Sequence, residues 1–167
     1  MSEQRPSDGR LGTAVVVTCS TRAAGGVYPD RSGPLILETL EKLGFEVAGQ
    51  QVVADGPAVR EALAAAVAEQ PDLLITTGGT GLSPTDGTPE ATRSVIDREA
   101  PGIAEAIRAA GVAAGVPGAM LSRGIAGVAG RTLVVNLPGS TGGVRDGLAV
   151  IGPVLVHAVS QIRGGDH

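Results

Sequence analysis

The sequence predicts an α/β fold: a mostly parallel sheet with helices on both faces. Three observations carry that expectation. Short apolar, β-branched runs recur, led by "TAVVVTC" (13–19) and "DLLITT" (72–77), and strands covered on both faces read as continuous apolar runs. Between them lie stretches with the 3.6-residue apolar period of amphipathic helices. The two patterns alternate along the chain, and alternation of this kind implies parallel pairing through helical crossovers.

In chain order, residues 1–10 are polar and read as a disordered N-terminal arm, leaving 11–167 as a single domain. After the first strand a helix is expected from Ser32 to Leu43, stopped by Gly44. "FEVAGQQVVA" (45–54) is a second strand. Val59, Ala62, Leu63, Ala66 and Val67 then mark one helical face. The third strand is followed by a helix expected from Pro89 to about Ala100, with Thr88 as its N-cap. Residues 101–124 look helical with breaks at Gly111, Gly115 and Pro117. "GIAGVAGRTLVVNL" reads as a hairpin turning at Gly130–Arg131. A last helix carries Val144, Leu148, Ile151, Leu155, Ala158 and Ile162 on one face, bent or restarted at Pro153. No internal repeat and no second domain are visible.

Composition narrows the function. The chain has 167 residues, 43% hydrophobic and 18% charged, within the range of globular proteins rather than disordered ones. A net charge of -4 gives no basic field for nucleic acid or a membrane surface. No run approaches the roughly 20 apolar residues of a membrane helix. One cysteine, Cys19, excludes an internal disulfide and points to the cytoplasm. One cysteine and two histidines leave no zinc cluster. Tyr28 and Phe45 are the only aromatics, so a flat heterocycle would be held by hydrogen bonds rather than by stacked rings.

Ligands of open α/β sheets bind beyond the carboxyl ends of the strands. Here those ends lead into "STRAAGG", Asp55-Gly56-Pro57, "GGTGLSPTD" and "PGSTGG". Glycine-freed amides beside helix starts suit anions, and Arg22 and Arg123 add charge, so a phosphate-bearing ligand is expected. Known phosphate motifs are absent. A dinucleotide fingerprint starting at Gly79 would need glycine at Pro84, and the only lysine, Lys42, lies in a helix rather than a P-loop. Asp55 and Asp86 are the candidate chemistry. Carboxylates beside phosphate repel it unless a cation intervenes, and Mg²⁺ is the natural one. Each also suits a turn role: Asp55 as a cap for the helix at Pro57, Asp86 as an Asx turn.

Taken together, "STRAAGGVYPDRSGP", "TTGGTGLSPTDGTPEAT", "AMLSR" and "VVNLPGS" resemble the motifs of the molybdopterin-binding MogA/MoaB family, over residues 12 to 163. The resemblance implies a three-layer α/β/α sandwich that assembles as a trimer, sometimes a hexamer. It implies Mg²⁺-dependent transfer of AMP from ATP to molybdopterin, with Asp55 and Asp86 as the important acidic residues and metal holders. The matched motifs bring Thr21, Arg22, Thr77, Gly78, Gly79, Thr80, Gly81, Ser83 and Glu90 to the substrates. They also bring Ser122, Arg123, Asn136, Pro138, Gly139 and Ser140. Other molybdenum-cofactor enzymes are partners to expect. The chain departs from the family at Ala54-Asp55-Gly56, where Pro-Asp-Glu/Asp is common, and at Thr85, where arginine is common. A lost carboxylate and a lost cation leave a non-transferring pterin binder as the alternative.

Overall fold

The computed structural model describes residues 9–165. Its sheet has six strands in the order β2-β1-β3-β6-β5-β4. They are β1 (Gly12–Cys19), β2 (Phe45–Val53), β3 (Leu73–Thr77), β4 (Arg98–Glu99), β5 (Ala126–Ala129) and β6 (Thr132–Leu137). The first three and β6 pair in parallel, while β5 runs antiparallel to both β6 and β4. The helices are α1 (Thr21–Ala24), α2 (Ser32–Leu43), α3 (Pro57–Ala68), α4 (Thr88–Arg93), α5 (Pro101–Ala113) and α6 (Thr141–Ile162).

Side-chain alternation divides the interior into two cores. Leu73 and Ile75 of β3, with Leu133 and Val135 of β6, face α2, α5 and α6. Leu74 and Val134 face the opposite way, onto Val59, Leu63 and Ala66 of α3. The chain leaves β1 for β2 on one side and returns through α3 to β3 on the other. The strand order therefore reverses beside β1, and a crevice opens at the strand ends there.

Several expectations need correction. The helix after β3 is α4 alone, ending at Arg93 rather than near Ala100. The following residues are captured by the sheet edge: Asp97 N donates to Val128 O at 2.7 Å and Ala100 N to Ala126 O at 2.8 Å. Pro101 also disfavours helical geometry at the residue before it. Gly111 does not break α5; it lies against Ala119, where a Cβ would overlap the alanine methyl. A 3₁₀ turn, Pro117–Leu121, follows. The hairpin turning at Gly130–Arg131 is present as β5–β6.

The last helix runs through Pro153 as one element of 22 residues. Contrary to the sequence expectation, its length and mean hydropathy of 1.2 would suffice for a membrane span. Its apolar face, Val144, Leu148, Ile151, Leu155 and Val159, is packed into the larger core. Of the expected N-terminal arm, residues 1–8 lie outside the described residues, and Arg10 already pairs with Glu46.

Candidate functional site

Two adjoining chambers open at the carboxyl ends of the strands. The first, about 560 Å³, is of mixed polarity and includes Thr18, Ser20, Tyr28, Asp30, Arg31, Asp55 and Thr141. The second, about 500 Å³, has Ile107, Val116, Ala119 and Leu121 on its walls, with Thr80, Gly81, Asp86, Ser122, Pro138, Ser140 and Asp146. They share Gly78, Gly79 and Gly139, a ridge of bare backbone.

The ridge is built by close approach within the chain itself. Gly78 and Gly79 have φ of 90° and 66°, the left-handed region that favours glycine. A Cβ at Gly78 would collide with the Cys19 carbonyl, and one at Gly79 with the Thr88 hydroxyl. Thr88 is not the N-cap of α4. Gly87 holds that place, while Thr88 Oγ1 donates to Gly78 O at 3.0 Å and Thr88 N to Gly79 O at 3.1 Å. The threonine thus fastens the glycine turn from beneath.

Both aspartates stand on this rim. Asp55 does not cap α3, whose N-cap is Gly56. Its Oδ2 accepts from Thr21 N and Thr21 Oγ1, both at 3.1 Å. Its Oδ1 is buried with no hydrogen-bond partner, and a Cβ at Gly79 would lie 3.1 Å from it. Asp86 closes a turn, Oδ2 accepting from Ser83 N at 3.1 Å while Asp86 N donates to Ser83 O at 3.0 Å. The same Oδ2 would lie 2.8 Å from a Cβ at Gly81. The two carboxylates therefore flank one short stretch of loop, each facing its own chamber.

These residues fit Mg²⁺ in its usual protein setting of one or two carboxylates completed by substrate phosphates and water. The orphaned Oδ1 of Asp55 is the observation that supports the fit, because a buried carboxylate oxygen without a donor is suited to a cation. Among the described residues no cluster of three or more His, Cys, Asp or Glu offers an all-protein cage. Beside Asp55 the Cys19 thiol is 2% exposed and pushed up to about 11, chiefly by burial, with a smaller rise from the Asp55 charge. At neutral pH it is a protonated core group.

Other residues expected at the site have different employment. Asn136 is buried: its amide donates to Thr76 Oγ1 and Thr92 Oγ1, both at 2.9 Å, and its Oδ1 accepts from Ile125 N at 3.1 Å. It ties β6 to β3 and α4 and lines neither chamber. Arg123 donates from Nε to Gly81 O at 2.9 Å, from a terminal nitrogen to Asp86 O at 2.8 Å, and from the other to Glu90. Hydrogen bonding to Arg123 holds the Glu90 carboxyl below the usual carboxylate range and raises the guanidinium in turn. Arg22 is exposed on α1 and lines neither chamber. Ser83 lies on the exposed loop, Thr77 Oγ1 donates to Pro138 O at 2.6 Å, and Ser140 Oγ accepts from Gly143 N as the cap of α6. The start of that long helix faces both chambers, through Thr141 on one side and Gly142 and Gly143 on the other.

Sequence reasoning did not single out Asp30, Arg31 or Asp146. Asp30 joins Thr18 Oγ1 (2.8 Å) to the first turn of α2 through Gly33 N (3.0 Å). Its place just before "RSGP" was the available signal. For Asp146 the signal was its spacing from Gly142 and Gly143, one helical stripe facing the second chamber.

Fold and site define a class: an α/β/α domain whose strand-end cleft brings two chambers together over a glycine ridge at a helix start. The model of the probable molybdopterin binding domain matches residues 15–157, and the chain belongs to this family. Molybdopterin adenylyltransferase from Helicobacter pylori strain J99 is 37% identical over 89% of this chain and 86% of its own length. The structure of the molybdopterin biosynthesis Mog protein from Mycobacterium ulcerans aligns with a TM-score of 0.86 and 58% identity, covering 90% of this chain and 98% of that one. A molybdenum cofactor biosynthesis bifunctional protein of Synechococcus elongatus is 41% identical over 92% of this chain, which spans 48% of that relative. The chain's place is in molybdenum-cofactor biosynthesis.

Proposed function

We propose that this chain transfers the adenylyl group of ATP to the terminal phosphate of molybdopterin and releases pyrophosphate. One observation carries the reading: two chambers, one of mixed polarity and one largely apolar, meet at a ridge with an aspartate on each side. A two-substrate reaction needs such a junction, since holding both reactants in line removes much of the barrier. An oxygen of the pterin's phosphate attacks the α-phosphorus of ATP, that P–O bond forms, and the bond to the β-phosphate oxygen breaks. The phosphate is already ionised, so the absence of a histidine from both chamber linings is no obstacle. Bound Mg²⁺ would supply charge neutralisation between the two anions. The chain's share is to orient Asp55 through Thr21, to hold Asp86 in its turn, and to offer the α6 start to phosphate oxygens.

A pterin-binding protein without transfer is the second reading. Thr85 favours it, an exposed hydroxyl that reaches only Ser83 Oγ (3.3 Å) on a loop that gains no cation from it. Incubation with molybdopterin, ATP and Mg²⁺ decides: pyrophosphate and adenylylated pterin support transfer, whereas pterin binding without turnover selects the second reading. Assembly as a trimer is part of the proposal, with Val112 and Met120 exposed beside the second chamber, next to Val116 and Leu121 of its wall, as its apolar surface. A stable monomer in sedimentation at micromolar concentration would count against it. With ATP as co-substrate, the cytoplasm is the compartment proposed.

A further inference from the structure

The loop from Thr80 to Gly87 carries Asp86 yet has little to hold it. Leu82, Ser83, Pro84 and Thr85 are exposed, and its own bonds are the Ser83–Asp86 turn and a contact between the Ser83 and Thr85 hydroxyls. Among the described residues, every hydrogen bond reaching this loop from beyond α4 comes from Arg123. The Arg123 amide donates to Thr80 O at 2.7 Å. Its guanidinium then bonds Gly81 O near one end of the loop, Asp86 O near the other, and Glu90 in α4.

We propose that Arg123 is a positioning residue: its guanidinium clamps both ends of the loop and so fixes the Asp86 carboxylate, rather than binding substrate phosphate. The planar fork suits the task, because three acceptors at fixed angles define a loop conformation that a flexible ammonium could not. Glu90 balances the charge and is the third acceptor, so each of the three guanidinium nitrogens has a partner within the protein. The inference rests on the adenylyl-transfer reading for its catalytic consequence, though the clamp itself does not depend on it.

The test compares the full chain with Arg123→Lys, Arg123→Ala and Glu90→Gln. In the protein alone, amide exchange at Ser83 and Asp86 should quicken about tenfold in both Arg123 variants, since lysine cannot reproduce the fork. Mn²⁺ binding followed by electron paramagnetic resonance should weaken about tenfold, because its carboxylate ligand is no longer held. In turnover, kcat should fall about 30-fold while KM for ATP stays within about twofold, the pattern of a misplaced group rather than a lost ground-state contact. Added guanidinium ion should restore part of kcat to Arg123→Ala. Unchanged exchange in Arg123→Lys, or a rise in KM for ATP with kcat preserved, would overturn the proposal and make Arg123 a phosphate ligand. Should Arg123→Ala fail to fold, Arg123→Lys and the milder Glu90→Gln carry the same readouts. If the unaltered chain makes no pyrophosphate, adenylyl transfer is refuted while exchange and Mn²⁺ binding still decide the clamp.

Discussion

The two ends of the sheet treat aspartate in opposite ways. At the amino end, Asp72 is fully employed: Oδ2 accepts from Thr13 N at 2.8 Å, and Oδ1 from Arg163 Nε at 2.9 Å and a terminal nitrogen at 2.7 Å. At the carboxyl end, Asp55 keeps a buried oxygen with no donor, and Asp86 is held through its own turn and one arginine. Folding alone favours the first arrangement, because an unpaired buried acceptor costs free energy. The second persists where something other than stability is served. Mutations at the two ends should accordingly separate stability from turnover.

The largest separation is expected at Asp86. Asp86→Asn keeps an oxygen for the Ser83 amide, so the melting temperature should hardly move. Adenylyl transfer should fall about 100-fold or more, the loss of about 3 kcal/mol of transition-state charge stabilisation. Turnover equal to that of the unaltered chain would reduce Asp86 to a turn former and erase the contrast.

Asp72→Ala should show the reverse pattern. Breaking this partly buried pair leaves Arg163 and the Thr13 amide without their acceptor, at about 2 kcal/mol of stability by denaturant unfolding. Turnover measured well below the melting transition should stay intact, and a matching fall in rate would show that the two ends are coupled. Thr21→Val sharpens the picture at Asp55 by removing one donor to Oδ2 and the acceptor of the Asp55 amide. A rate loss of about fivefold, near 1 kcal/mol, should appear with a raised Mg²⁺ requirement.

The smallest effect concerns pH. The Glu90 carboxyl is held below its unfolded value of about 4.3, so its stabilising contribution is complete above that value. It disappears as pH falls through the lower folded value. The pair is largely exposed and screened by solvent, so only a slight effect on stability is expected. Acid unfolding of Glu90→Gln and the unaltered chain should therefore converge at low pH and differ slightly at neutrality. A gap that widens on acidification would contradict the assignment.

What could be read from the chain follows from the range of the interactions involved. The buried strands, the β5–β6 hairpin and the apolar stripe of α6 are set by side chains within a few positions of one another, and periodicity displays them. Motif order placed Asp55 and Asp86 on one rim, because the carboxyl ends of parallel strands share a rim. Long-range employment stayed hidden. Arg123 spends its charge on acceptors 33 to 42 residues away, so in one dimension it looked like a cation free for phosphate. Asn136 sits in a ligand-lining motif, yet its amide is consumed by one threonine on the neighbouring strand and another in α4, 60 and 44 residues away. The shortness of α4 likewise depended on edge pairing with β5, whose strength no local propensity records.

The length of α6 sets the distance between the cleft and the opposite pole of the domain. Its 22 residues span about 33 Å, from the Ser140 cap at the cleft to Arg163, anchored on Asp72 at the opposite pole. Leu11 and Gly12 lead into β1 at that same pole, the Leu11 amide bonded to Gly44 O. Both segments are thus on the side away from the mouth. A label placed by substitution on either pole-side segment would therefore leave the cleft open to solvent.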